Sequence, residues 1–253
     1  MMDYTVNYKR SGQLIVAEDI NVLSSKFYDI LLDIIQKNSV SDRRFSLALS
    51  GGSTPLKIYK ELIPVLKKSG IIDKIDFYWS DERCVNPKSM ESNYGNAYRT
   101  FLQPLGICEK HIYRIRGEDN PNKESMRYEQ LLIENLNARD TIPAFDLIML
   151  GLGDDGHTAS IFPDQIDLIN AENLVATAKH PETGQNRITF TGKLINNSSH
   201  VIFIVSGRKK KKVLQEILYD KQAAGKYPAR HIRPKTGNLI WLCDRDAVGN
   251  GLS

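Results

Sequence analysis

The chain has 253 residues, long for one average domain yet within the range of single α/β domains, and enough to bury a large core. Hydrophobic residues make up 41% and charged residues 25%, a balance that excludes the disordered and fibrous classes. The net charge of +4, from 34 basic against 30 acidic residues, is too near balance to signal a nucleic-acid or membrane partner, although it leaves room for a local anion site.

From the N-terminus, residues 4–16 read as a hairpin through a Ser11-Gly12 turn. Leu23, Phe27, Ile30, Leu31 and Ile34 then make one apolar helical face. Short apolar runs at 45–49, 75–79, 145–150, 201–205 and 239–242 read as buried strands. Between them, Leu131, Leu132 and Leu136 mark a second helical face, and Val213, Leu214, Ile217 and Leu218 a third. Such alternation predicts an α/β fold with a mainly parallel sheet covered by helices on both faces. No repeat, linker or composition shift divides the chain, so residues 1–253 are expected to form one domain.

No run approaches the roughly 18 apolar residues of a membrane span, and nothing around Asp3 and Glu18 looks like an export leader. Cys84, Cys108 and Cys243 are odd in number, widely spaced and without a Cys-x-x-Cys pair. That pattern argues against a disulfide framework or a structural zinc site, and a reducing cytoplasm is the expected location.

In open parallel sheets ligands bind beyond the carboxyl ends of the strands, and four such junctions carry unusual chemistry. The first is Ser50-Gly51-Gly52-Ser53-Thr54-Pro55, with an amphipathic segment behind it. Its glycines let backbone amides approach a ligand, Thr54 suits an N-cap and Pro55 the first helical position. The segment serves either as a phosphate cradle at a helix N-terminus or as an ordinary tight turn. It is not a nucleotide P-loop, since no Lys follows the glycines, nor a dinucleotide fingerprint. The second junction is Ser80-Asp81-Glu82-Arg83, followed by a loop with Pro87 and Ser92-Asn93-Tyr94. Three charges directly after a buried strand are costly unless paired or used, so they form a salt-bridged rim or a site. Arg83 offers the planar fork of donors suited to an anion, and Cys84 beside it is read as an inert neighbour.

The third junction carries the strongest local signal. A fully apolar strand ends in Gly151-Leu152-Gly153-Asp154-Asp155-Gly156-His157, so glycines hold an Asp-x-His arrangement over a strand end. There His157 is expected to be catalytic; Asp155 either orients the imidazole and raises its basicity or only closes the loop. Metal binding is not expected, because no second His or Cys lies at ligand spacing and His111, His180, His200 and His231 are scattered singly. At the fourth junction, Val205-Ser206-Gly207-Arg208-Lys209-Lys210 opens a helix with cations, against its macrodipole. A bound anion resolves that conflict; a solvated basic run is the plainer reading for three of the four lysines at 209–212. On a helical wheel Lys210 lies within roughly 10° of the apolar direction, Lys209 and Lys211 about 90° to 110° away, and Lys212 about 170°.

Six segments in this order resemble the 6-phosphogluconolactonase family: Leu49-Ser-Gly-Gly-Ser-Thr-Pro55, Trp79-Ser-Asp-Glu-Arg83 with Ser92-Asn-Tyr94, the run from Gly151 through Gly-His157-Thr-Ala-Ser to Pro163, Arg187-Ile-Thr-Phe-Thr191, Gly207-x-x-Lys210 and Thr236-Gly-Asn-Leu-Ile-Trp241. The resemblance covers most of the chain. It implies a modified Rossmann-like fold shared with glucosamine-6-phosphate deaminases, ribose-5-phosphate isomerases and CoA transferases. It also implies cofactor-free hydrolysis of a sugar phosphate lactone in the pentose phosphate pathway. His157 becomes the general base with Asp155 and Arg83 as catalytic partners, and Gly51, Gly52, Ser53, Thr54, Asp81, Arg83, Arg187 and Lys210 become substrate or phosphate contacts. A monomer acting on a small molecule, without nucleic acid or membrane, is expected. One departure is visible, since the family has a small residue after the motif lysine and this chain has Lys211. The rival within the fold, an amino-sugar phosphate deaminase or isomerase, has Asp-Glu-Tyr where this chain has Asp81-Glu82-Arg83. It also has Gly-His-Ile-Ala-Phe-Asn-Glu where this chain has Gly156-His157-Thr-Ala-Ser-Ile-Phe162. A non-catalytic sugar-phosphate sensor is the rival of another class, and it has no need of His157.

Overall fold

A computed structural model describes residues 4–8, 12–38, 43–219 and 222–249. Strands β1 (Tyr4–Tyr8) and β2 (Gly12–Ala17) pair antiparallel with Tyr8 opposite Gly12, as the hairpin reading expects, while Ser11 lies outside the described residues. Helix α1 (Ile20–Asn38) starts on Asp19, whose carboxylate accepts from the amides of Asn21 and Val22 at 2.8 and 2.9 Å. Strand β3 (Phe45–Leu49), helix α2 (Ser53–Ser69) and strand β4 (Ile75–Trp79) follow. After Ser80 the chain enters a second sheet as β5 (Asp81–Arg83), then turns into α3 (Asn93–Ala97) and α4 (Gln103–Leu105). Helix α5 (Pro121–Asn135) opens on an Asn120 cap with Pro121 in its first position, and a two-residue ribbon, β6 (Ala138–Arg139) and β7 (Ile142–Pro143), leads to β8 (Leu147–Gly151). Strands β9 (Val175–Lys179) and β10 (Asn186–Phe190), helix α6 (Gly192–Ile195), strand β11 (His200–Val205), helix α7 (Lys211–Tyr219), strand β12 (Asn238–Asp244) and helix α8 (Arg245–Val248) complete the described chain.

The main sheet has the order β1-β2-β12-β11-β8-β3-β4, parallel throughout except for β1. All five residues of β3 are buried, as are the last five of β11, which is why β11 runs apolar without alternation and β3 is broken only by Ser46. Helices flank the sheet, and the Phe203 and Trp241 rings stack at 4.0 Å in its core. From β3 the chain moves outward to β4, and from β8 it moves the other way to β11, so the sheet reverses direction between β3 and β8. A crevice beyond the carboxyl ends is the expected binding place at such a reversal. Strands β5, β10 and β9 form a separate antiparallel sheet against which α5 packs, with Tyr128 stacked on Phe190 at 6.2 Å.

The strand predicted at 145–150 begins two residues later, and the reason is Asp146. Its amide donates to the Ser46 hydroxyl at 3.0 Å, and its carboxylate accepts from Arg43 at 2.7 and 2.5 Å and from the Ser46 amide and hydroxyl at 2.9 Å each. The carboxylate therefore ties the start of β8 to the start of β3. Replacing Asp146 by alanine is expected to cost about 2–4 kcal/mol, somewhat less than a fully buried pair because Arg43 keeps contact with water. Denaturant unfolding checks this, as a lower midpoint at unchanged slope.

Candidate active site

The carboxyl ends of β3, β4, β8 and β11 open into one cavity of about 440 Å³. Of the sequence-predicted site residues, Gly51, Gly52, Ser53, Thr54, Asp81, Arg83, Asp155, His157 and Lys210 all line it. Arg187 does not line it, and the predicted roles of several others need correction.

Helix α2 is capped by Gly52, at φ 105° and without a side-chain cap, so the expected assignment of Thr54 as N-cap is wrong by two positions. The sterically open φ of Gly52 is what only glycine supplies readily, and it makes Ser53 and Thr54 the first helical residues and Pro55 the third. Leu56 is the first residue to close a helical bond, to the Gly52 carbonyl at 3.3 Å. Ser53 and Thr54 thus line the cavity at the positive end of a 17-residue helix, where the first amides have no intrahelical partner. Gly51 is required for another reason, since a Cβ there would lie 1.8 Å from Asn93 Oδ1.

The charges after β4 divide between scaffold and site. Asp81 accepts from Asn93 Nδ2 at 3.1 Å and from the Ser160 hydroxyl at 2.7 Å, so its carboxylate joins the β5, α3 and His157 segments and only edges the cavity. Glu82 is 2% exposed, and burial pushes its carboxyl up to about 7 against the amides of Tyr94, Asn93 and Arg83 that favour the ionised form. The Ser92 hydroxyl adds a fourth donor at 3.0 Å, and Glu82 thereby fixes the first turn of α3. Arg83 donates through Nη1 to the Glu91 carbonyl at 2.7 Å, while its Nε is buried without a partner. Arg187 sits directly opposite Arg83 in the β5–β10 ladder and bonds Gln185. Burial first, then the Arg83 charge, lowers its pKa, so Arg187 stands as a second cation behind the wall rather than as a lining group.

The glycines at 151–156 set the histidine. A Cβ on Gly153 would meet His157 Nδ1 at 2.1 Å, and one on Gly156, at φ +81°, would enter the Tyr227 ring. His157 Nδ1 lies 2.6 Å from Asp155 Oδ1, and the same oxygen accepts from the His157 amide at 3.1 Å. Burial tends to raise the Asp155 pKa, but hydrogen bonds and charge from His157 outweigh it and hold the carboxylate below its ordinary value. An ionised carboxylate only accepts, so Nδ1 carries the proton and Nε2 is left as the basic atom. Asp155 thus bonds both the ring and the amide of His157 and holds the imidazole in one orientation.

Lys210 reaches the cavity from a 3₁₀ turn (Arg208–Lys210) that precedes α7, not from the first α-helical turn as the wheel assumed. Its Nζ is 2.6 Å from Asp154 Oδ1. Arg208, Lys209 and Lys212 are exposed, whereas Lys211 is half-buried, its stem filling the space a Cβ on Gly249 would take. Behind the turn Asp244 accepts from the Ser206 hydroxyl and the Gly207 amide. Sequence reasoning gave no site role to six polar lining residues, Ser50, Asn93, Asp154, His180, Glu182 and Ser206. Ser50, Asn93, Asp154 and Ser206 stood inside motifs already singled out, and the Pro181-Glu182-Thr183-Gly184 turn signal was the available pointer to His180 and Glu182. The cavity thus brings a helix N-terminus and a lysine together with a carboxylate-bonded imidazole, groups able to hold an anion and to move a proton.

Comparison with known proteins agrees in extent. The sequence model of the family described as glucosamine-6-phosphate isomerases/6-phosphogluconolactonase matches residues 18–241. A 6-phosphogluconolactonase of Treponema pallidum is 41% identical over 196 residues, 78% of this chain and 81% of its own. One from Nostoc is 37% identical over 240 residues, 94% and 97% of the two chains. A solved 6-phosphogluconolactonase of Trypanosoma brucei superposes with a TM-score of 0.81 at 28% identity, covering 94% of this chain and 98% of that one.

Proposed function

The chain belongs to the glucosamine-6-phosphate isomerase/6-phosphogluconolactonase family, and from that premise we propose that it hydrolyses 6-phosphoglucono-1,5-lactone to 6-phosphogluconate with His157 as general base. The lactonase branch, rather than the isomerase branch, is supported by relatives of that name that match most of the chain and by Arg83 at the position where deaminases carry Tyr. The observation that carries the assignment of the base is the 2.6 Å Asp155–His157 bond on the wall of the cavity that Ser53, Thr54 and Lys210 also line.

In this reading the phosphate rests on the free amides and hydroxyls of Ser53 and Thr54 and on Lys210. Arg83, backed by Arg187, supplies the fork of donors for the anionic oxygens of the substrate. His157 Nε2 takes a proton from water as that water attacks C1, and the carbonyl electron pair moves onto oxygen, where amides at the strand ends stabilise it. Collapse of this intermediate breaks the bond from C1 to the ring oxygen, and the imidazolium returns its proton to that oxygen. The open acid is the product. The phosphate takes no part in bond making and acts by orienting the lactone.

The direct test is lactone hydrolysis measured above the spontaneous rate; an enzyme that adds nothing to that rate sinks the proposal. A second expectation concerns metals. Among the described residues no three His, Cys, Asp or Glu side chains stand close enough to share an ion. Turnover is therefore expected to survive prolonged chelation unchanged, and activity abolished by chelation and restored by zinc would show that His157 is a ligand instead of a base. Among the described residues no helix is long and apolar enough to cross a membrane. The described thiols Cys84, Cys108 and Cys243 are free.

A further inference from the structure

His180, which the sequence leaves as a solitary histidine, lines the same cavity from the turn between β9 and β10. The turn is closed by two backbone bonds of 2.9 Å, His180 to the Gln185 carbonyl and Gly184 to the His180 carbonyl. Inside it the amides of Glu182 and Thr183 both point at His180 Nδ1, each at 3.3 Å. A ring nitrogen that accepts from two amides carries no proton, so the proton of this imidazole is on Nε2. His180 is thus a fixed hydrogen-bond donor, and a neutral one: giving its proton away outright would leave an imidazolate, so a role as general acid is excluded.

Its place along the cavity follows from its neighbours. Lys210 meets the His157 loop at Asp154, at one end of the segment. The buried ring of Phe162 lies 4.9 Å from the His157 ring and 5.2 Å from the His180 ring, centroid to centroid, so one side chain links base and donor. Cation and donor thus meet the His157 loop through different neighbours, Lys210 through Asp154 and His180 through Phe162. Glu182, also on the wall beside His180, repels a phosphate dianion from this end. In the lactone the phosphate leads through C6, C5 and the ring oxygen to C1, and the next group past C1 is the hydroxyl on C2.

We infer that His180 Nε2–H donates a hydrogen bond to the C2 hydroxyl of the lactone and makes the enzyme select for that group. The inference rests on the lactonase reading above. Its test compares 6-phosphogluconolactone with the 2-deoxy lactone obtained by oxidising 2-deoxyglucose 6-phosphate. Wild type, His180→Ala, His180→Gln and His180→Asn are assayed on both substrates. With the parent lactone, His180→Ala is expected to lower kcat/KM by about tenfold, the usual scale for one hydrogen bond to a substrate group. With the 2-deoxy lactone it should change kcat/KM less than about twofold, because the partner is already gone. His180→Gln, whose amide nitrogen reaches the Nε2 position, should recover most of the loss. His180→Asn, long enough only to accept from the turn, should behave like alanine. Equal losses on both substrates, or no loss on either, would overturn the inference alone. A wild-type enzyme inactive on both lactones would overturn the lactonase reading, and this inference with it.

Discussion

Replacing His157 by alanine is expected to lower kcat by about 10²- to 10⁴-fold, roughly 3–5 kcal/mol of barrier, while KM changes little. The estimate is that for one positioned acid-base group, the role proposed for His157. Its Nδ1 is committed to Asp155, so the imidazole cannot turn its other nitrogen away without breaking a 2.6 Å bond to an ionised carboxylate. The fold should not suffer. The His157 side chain is 32% exposed and Asp155 43%, so truncation admits water instead of leaving a dry cavity or a buried charge. Asp155→Asn is the companion variant: an amide can donate to Nδ1 and stabilise the wrong tautomer, and kcat should fall although every contact distance is kept. Initial rates corrected for spontaneous hydrolysis, together with a thermal melt, separate these outcomes. An alanine variant with wild-type turnover would remove His157 from the chemistry.

The legible part of the fold was its apolar periodicity. Runs at 45–49 and 75–79 became β3 and β4 with the same bounds, because each is almost wholly buried and interrupted by a single polar residue, Ser46 or Asp76. At 145–150 the same rule failed by two residues, where the long-range bonds of Asp146 to Arg43 and Ser46 outweighed local pattern. The small sheet was illegible for a related reason. Strand β9, Val175–Lys179, carries neither a long apolar run nor a clean alternation, and β5 is three charged residues. These strands exist because they pair with β10, whose partners lie far apart in sequence. Within the site, glycine-rich junctions announced themselves, since close approach of backbone to ligand or side chain has few substitutes for glycine. His180 gave no such notice. What makes it a donor is a turn that aims two amides at one ring nitrogen, and that is conformation, not composition. Thr54 shows the converse error: a good capping residue was present, but an uncapped start at Gly52 leaves more free amides, and a helix end that binds an anion gains from not being capped by its own side chain.

Lys210→Ala is expected to raise KM for the phosphorylated lactone by about 10- to 100-fold with little change in kcat, the loss of one charge-assisted contact of about 1.5–3 kcal/mol. Position in the turn singles this lysine out. Two of the four lysines remain exposed, Lys209 and Lys212, and a third, Lys211, lays its stem across Gly249. Only Lys210 of the four lines the pocket, beside the wall that carries Ser53 and Thr54. Before substrate arrives its charge is shared with Asp154 at 2.6 Å, and that carboxylate is 62% exposed. A pair so open to water is worth little, so in the proposed role of Lys210 a phosphate dianion displaces Asp154 at small cost while gaining the amides of α2. Asp154 therefore keeps Lys210 aimed at the cavity without competing strongly for it. Alanine at Lys209 or Lys212 should leave KM within about twofold, and Lys211→Ala should affect packing near Gly249 before it affects KM. Steady-state KM values for the four variants, taken at two ionic strengths, decide the matter: a specific contact at Lys210 persists as salt rises, whereas equal, salt-sensitive effects from all four lysines would show a diffuse field and remove Lys210 as the phosphate ligand.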